Sequence, residues 1–126
     1  MKRQPCDRRA VGHWGELAAA DFLKEQGFRI VTMNWSCRFG ELDIVAENGR
    51  YLLFVEVKLR RDAAHGAARE FVSAAKRQKI IRTAMFWLAG HASAAQALQP
   101  RFDVIEIYGK DGVIDQLNHI PNAFTL

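Results

Sequence analysis

Two carboxylates and an amine stand out by placement: Asp43 in GELDIVA (residues 40–46), and Glu56 and Lys58 in YLLFVEVKLR (residues 51–60). Burying charge costs several kcal/mol unless the group is paired or used, so charges inside two apolar runs require a partner or a task. A pair of acidic side chains brought together can hold an oxygen-liganded divalent cation at roughly 2.0–2.6 Å, which suits Mg2+ or Mn2+. Lys58, two residues beyond Glu56, could then point its ammonium at a water or phosphate oxygen bound to that ion. The competing reading is a Glu56–Lys58 salt bridge on an exposed strand end, since structural ion pairs also perturb local electrostatics.

The two runs are separated by Glu47, Asn48 and Gly49, and Asn-Gly between apolar runs is a strong hairpin signal. A type I′ turn centred on Asn48 and Gly49 predicts pairing of Glu47 with Arg50, Ala46 with Tyr51, and so outwards to Glu41 with Glu56. Side chains alternate between faces with period two. One face is then Leu42, Ile44, Ala46, Tyr51, Leu53, Val55 and Val57, all apolar apart from the tyrosine hydroxyl. The other carries Glu41, Asp43, Glu56 and Lys58 above Val45, Leu52 and Phe54. In this register Asp43 and Glu56 are diagonal neighbours, about 7–8 Å apart along the backbone. Glu41 opposite Glu56 is a like-charge pair, unfavourable without a cation or base beside it.

The surrounding pattern supplies elements to position these groups. HWGELAAADFLKEQG predicts a helix ended by Gly27, and FRIVTMNW a first strand. The hairpin gives strands two and three. RDAAHGA reads as a loop, and the spacing of Ala74, Ile81, Ala84, Met85 and Leu88 predicts a second helix from about Ala68 to Leu88. GHASAAQALQP is a poorly patterned connection, RFDVIEIYG a fourth strand and VIDQLNHI a short fifth. A strand, helix, strand succession implies a right-handed crossover and parallel pairing of strands three and four or near neighbours, so the sheet is mixed.

The chain has 126 residues, 49% hydrophobic and 25% charged, which suits one folded domain and not two. Residues 1–10 read as a flexible basic tail and 11–126 as the single domain. Cys6 and Cys37 fit neither a disulfide framework nor a zinc site, and His13, His65, His91 and His119 have no ligand spacing. Trp14, Trp35, Trp87, Phe54, Phe71 and Phe86 are scattered without a base-stacking pattern and read mostly as core. The basic start is followed by no apolar signal segment, and no run approaches the ~18 apolar residues of a membrane span; the expectation is a cytoplasmic protein. The net charge is +4. Basic residues crowd Lys58–Arg82, either as a phosphate-facing surface or as the solvated face of a helix.

At these residues the sequence resembles the PD-(D/E)XK nuclease superfamily, whose signature is an acid on one strand and acid, any residue, lysine on the next: here Asp43, then Glu56, Val57 and Lys58. More narrowly it resembles the small, uncharacterised bacterial YraN-like family, through Gly15-Glu16, Gly40 to Asp43, Val55 to Arg60, Lys76 in the second helix, and Arg101 to Asp103. Leu42 stands where the superfamily's name-giving proline would be. The resemblance implies a restriction endonuclease-like α-β-β-β-α-β core, with a mixed central sheet flanked by helices and a short extra C-terminal strand, similar to Holliday junction resolvases. It implies a Mg2+- or Mn2+-dependent endonuclease acting on DNA, with junction or branched DNA as a candidate substrate and a homodimer as the assembly; the alternative is a non-catalytic nucleic-acid-binding protein that keeps the fold. Under this reading Asp43, Glu56 and Glu16 hold the metal, and these three with Lys58 are catalytic. Glu16 has a second explanation, since acids near a helix N-terminus are favoured by the macrodipole. Arg60 and Lys76, then Arg61 and Arg77, are the expected phosphate contacts; Asp103 either pairs with Arg101 or sits near the site, and the structural role is the favoured reading.

Overall fold

The computed structural model describes residues 8–60, 72–95 and 97–125. The elements run α1 (Arg8–Glu25), β1 (Arg29–Cys37), β2 (Gly40–Glu47), β3 (Tyr51–Arg60), α2 (Ala74–Gly90), a single turn α3 (Ala92–Ala95), β4 (Gln99–Lys110) and β5 (Val113–Phe124). Helix α1 thus begins inside the stretch read as a tail, and β5 is twelve residues long where a short strand was expected. The start expected for α2, near Ala68, falls outside the described residues; within them the helix begins at Ala74.

One mixed sheet carries the strands in the order β1-β2-β3-β4-β5. Neighbours are antiparallel except β3 and β4, the parallel pair expected from the crossover through α2. The sheet has a core on each side. Ala19, Ala20 and Leu23 of α1 pack on Ile44, Leu53, Val55, Ile105 and Ile107, while Ile80, Ala84 and Trp87 of α2 pack on Val45, Leu52, Phe54, Phe102 and Val104. Strands buried on both faces lose the simple apolar and polar alternation, as in the continuous burial of Phe102–Tyr108.

Local signals explain the helix ends. At the end of α1, Gly27 has φ +95°, its N–H reaches Lys24 O at 3.0 Å and Phe28 N–H reaches Leu23 O at 2.9 Å, a Schellman closure that needs a left-handed residue. At the start of α2, the Ser73 side chain accepts from the Lys76 N–H at 3.2 Å, satisfying one of the free first-turn donors. The buried stripe of α2 is Ile80, Thr83, Ala84 and Trp87. Met85, expected on that stripe, is 50% exposed.

The hairpin register corrects the sequence reading. Glu47 pairs with Leu52, Ala46 with Leu53, Val45 with Phe54 and Ile44 with Val55, two residues away from the predicted alignment. A type I′ turn needs positive φ at both central residues, and Gly49 has it (φ +89°) while Asn48 does not. Asn48 instead turns its side chain inward: Oδ1 accepts from the N–H groups of Arg50 and Tyr51 at 3.0 and 2.8 Å. The loop widens, but a two-residue slip keeps every side chain on its own face.

The faces hold with one exception. Met33 and Ile44 pack on the α1 side, whereas Trp35 and Leu42, two residues along each strand, pack with the α2 core. Asn34, with φ +54°, lies between them in β1. A left-handed residue in a strand bends and twists it, so the β1–β2 ribbon changes sides at Asn34 and its neighbour across the ladder, Asp43.

Candidate active site

The β2–β3 pairing ends at Ile44 and Val55, so Asp43 and Glu56 are the next residues along two strands that part here. Both acids line one groove and the charge of Glu56 acts on Asp43, while the two-residue shift in register removes the expected Glu41–Glu56 opposition. At this fork the Val57 N–H donates to Asp43 Oδ2 at 2.9 Å. Burial pushes the Asp43 carboxyl up to about 7, with the charges of Glu56, Glu16 and Glu41 adding to it and the Val57 hydrogen bond opposing. Asp43 is the point where the local negative potential concentrates.

A groove of about 380 Å³ opens here between the β1–β2 hairpin, the sheet and α2, lined by Glu41, Asp43 and Glu56 on one side and Lys76, Lys79 and Thr83 on the other. Gly40 makes it possible: a Cβ there would sit 2.9 Å from Thr83 Oγ1, so only glycine lets the hairpin approach the helix this closely. Cys37 also lines the groove, as a free thiol.

Lys76 Nζ lies 2.9 Å from Glu56 Oε2. A lysine in the first turn of a helix is at the unfavourable end of the macrodipole, and α2 has no acid there to offset it; the offset comes from Glu56 in the neighbouring strand. Burial pulls the Lys76 pKa down, but the hydrogen bond and charge of Glu56 outweigh it and the net shift is upward. Lys58 moves the other way, lowered by burial first and by the charge of Lys76 next, with Glu56 and Asp43 opposing. The salt bridge of the competing reading is thus made from Glu56 to Lys76 of α2, and not to Lys58.

The remaining expected residues are distributed more widely. Glu16 acts on Asp43 through its charge, and its carboxylate is 3.5 Å from His13 Nδ1. Among the described residues no three or more His, Cys, Asp or Glu side chains are grouped to hold one metal ion, so Glu16 is not gathered with the Asp43–Glu56 pair. Arg60 turns toward Glu106, with Nε 3.9 Å from Oε2. Arg77 donates to Val72 O at 3.2 Å, bracing the start of α2. Arg61 lies outside the described residues.

Glu106 went unnoticed in the sequence. It is 0% exposed, pairs with Lys58 across the β3–β4 ladder, and neither carboxylate oxygen has a hydrogen-bond partner. The signal was available, an acid at a position that alternation places on the same face as Phe102 and Val104. On the α1 side of the sheet, Asp103 pairs with Arg101 through bonds of 2.9 and 2.8 Å, the structural role expected of it.

Fold and site together define a mixed α/β protein with two acids and two lysines at the fork of its sheet. Residues 15–107 match the uncharacterised protein family UPF0102, and the chain belongs to that family. It is 42% identical over 120 residues to a UPF0102 protein of Myxococcus xanthus, covering 95% of this chain and 93% of that relative. A UPF0102 protein of Syntrophotalea carbinolica is 45% identical over 117 residues, covering 93% of each. The narrower of the two resemblances, to a small uncharacterised bacterial family, is met at this level. No described helix is long and apolar enough to cross a membrane.

Proposed function

We propose that this protein is a divalent-metal-dependent endonuclease with a restriction endonuclease-like core, cutting phosphodiester bonds in branched DNA in the cytoplasm and working as a two-fold pair on symmetric substrates. The observation that carries the reading is the meeting of Asp43 and Glu56 in one groove, with the Asp43 carboxyl raised to about 7. Two acids forced together in a partly dry groove oppose stability, and such local conflicts concentrate at functional sites. The element order α1-β1-β2-β3-α2-β4 supports the same reading at the level of fold.

The donor set fits a hard cation. Magnesium is commonly held by one or two carboxylates with water completing the shell, and Asp43 and Glu56 are two all-oxygen donors, with Glu16 contributing through its charge. A bound Mg2+ or Mn2+ supplies charge neutralisation at the phosphate and lowers the pKa of water. Lys58, its pKa drawn down by burial, would orient or deprotonate the attacking water or stabilise the charge that develops on the phosphate. Lys76, 46% exposed beside Glu56, and the exposed Lys79 reach the phosphates of the strand lying in the groove.

The Lys76–Glu56 ion pair favours a second reading, a nucleic-acid-binding protein whose acid is neutralised internally without metal. Cleavage assays on branched and linear DNA with Mg2+ or Mn2+ separate the two. Cleavage by the wild type that drops at least about 100-fold in both Asp43→Asn and Glu56→Gln supports the enzyme. Cleavage equal in all three forms points to a contaminant and defeats it. Salt-sensitive binding by all three without cleavage supports the second reading.

A further inference from the structure

Two of the aromatic residues that look scattered in the sequence, Trp35 and Phe86, gather with Phe39 just beyond the groove-lining residues Gly40 and Thr83. Phe39, beside Gly40 in the β1–β2 hairpin, meets Phe86 of α2 edge to face, with ring centroids 5.4 Å apart and planes at 68°. Trp35 backs Phe86 at 6.3 Å. The Arg38 guanidinium lies 4.9 Å from the Phe39 ring centroid and that of Arg82 lies 5.8 Å from it. Phe86 is 45% exposed, although its orientation is fixed by two aromatic neighbours.

Phe86 continues the helix face that lines the groove. Lys76, Lys79 and Thr83 step along α2 at three- and four-residue intervals, and Phe86 is the next step. From Lys76 beside Glu56 to Phe86 the helix rises roughly 15 Å, the length of about four stacked nucleotides at ~3.4 Å each. One path therefore joins the acids, two lysines, and Phe86 with its edge-to-face neighbour Phe39, over which the guanidiniums lie.

We infer that Phe86, buttressed by Phe39 and Trp35, with the guanidiniums of Arg38 and Arg82 over the adjoining Phe39 ring, is a stacking platform for an unpaired base of a nucleic acid lying in the groove, about four nucleotides from the acidic centre. Exposed aromatic faces interleaved with cations bind single strands without regard to sequence, because every base offers a π-face and the cations take the phosphates. A second copy of this chain fits the surface less well: a two-fold contact sets a patch against itself, which would bring Arg38 and Arg82 against the same arginines of the other copy. The inference rests on the nucleic-acid reading of the groove and narrows its substrate to DNA with a single-stranded segment beside the cleavage point.

Binding measured in EDTA tests the platform independently of cleavage. The probe is a duplex with a single-stranded tail carrying 2-aminopurine at successive tail positions, compared with a blunt duplex. The wild type should prefer the tailed form and quench the fluorophore most near the fourth nucleotide. Phe86→Ala should lose about tenfold or more of its affinity for the tailed form, lose the quench, and bind the blunt duplex as before, while Phe86→Tyr keeps both. Phe86 is a surface residue, and unchanged melting of Phe86→Ala would show that the fold is intact. Equal affinity of wild type and Phe86→Ala for the tailed form overturns the inference even where cleavage is active. Self-association lost in Phe86→Ala with DNA affinity unchanged assigns the surface to a second copy and overturns it as well. A Phe86 effect on tailed DNA in a protein that cleaves nothing overturns the nuclease reading alone and leaves the platform standing.

Discussion

Asp43 of β2 and Asp103 of β4 belong to the same sheet, yet their surroundings drive them in opposite directions. Asp103 is 0% exposed and well bonded: Arg101 donates from Nε and Nη2, the Asn122 N–H donates at 3.0 Å, and His119 Nε2 lies 2.7 Å from Oδ2. Burial alone would raise its pKa, but the hydrogen bonds of His119, Arg101 and Asn122 outweigh it and the carboxyl sits below its ordinary value. Asp43 is less deeply buried and has one main-chain donor, Val57, against three neighbouring acids. Asp103, which builds the fold, is saturated with donors; under the proposed function Asp43 keeps lone pairs unused and is held there by the rest of the structure.

The sharpest way to break this contrast is substitution at each centre. Asp43→Asn should reduce metal-dependent cleavage at least about 100-fold while leaving the melting temperature at pH 7 unchanged or higher; a large loss of stability would mean that Asp43 is structural after all. Asp103→Ala should do the reverse to the fold, leaving Arg101 without its buried partner at a cost of about 3 kcal/mol or more, roughly 10 °C in melting temperature for a domain of this size. Thermal melts of the two variants side by side check both.

Their pH windows should differ as well. The Asp43 carboxyl is raised from 3.8 to about 7, so between those values the folded state holds a proton that the unfolded state has lost. Its favourable contribution is complete below pH ~4 and is lost as pH rises through 7. Asp103 is lowered, so its contribution is present above pH ~4 and lost only in stronger acid. Wild-type stability should therefore decline between pH 4 and 8 by an amount on the order of 2 kcal/mol that Asp43→Asn abolishes, read from denaturant midpoints across the range. Mn2+ should restore stability at pH 8 more than at pH 5, because it binds the ionised pair. A flat profile in the wild type would remove the electrostatic conflict on which the site depends.

The smallest effect belongs to Lys76→Met. The ammonium is 46% exposed, so its ion pair with Glu56 is screened and its loss should change stability by no more than about 1 kcal/mol. The same variant should weaken DNA binding and reduce the salt slope by about one. Unchanged DNA affinity would return Lys76 to a purely structural role and make the first centre resemble the second.

The residues of the first centre were legible in the linear chain, as was the element order apart from the single turn α3. Asp43, Glu56 and Lys58 were marked by charge inside apolar runs, and period-two geometry sent them to one side whether the turn was two residues or four, because a slip of two preserves parity. The exchange of partners was not legible: Lys76 reaches Glu56 because Ser73 begins α2 where it does and Gly40 lets hairpin and helix close together. Glu106 carried a local signal, an acid within the apolar run of β4, but packing on both sides of the strand decided that its carboxylate is fully buried without a hydrogen-bond partner.

Spacing along a strand is a local property, so the chain by itself determined which side chains could share a face and what chemistry they could do. Distances between residues far apart in sequence depend on how helices seat on the sheet and where the β1–β2 ribbon twists. Only the tertiary structure decided that Glu56 meets Lys76, that Asp43 stands at the twist in the same groove, and that Phe39 and Phe86 come together just beyond it, because each of those meetings is fixed by packing between elements that no single segment encodes.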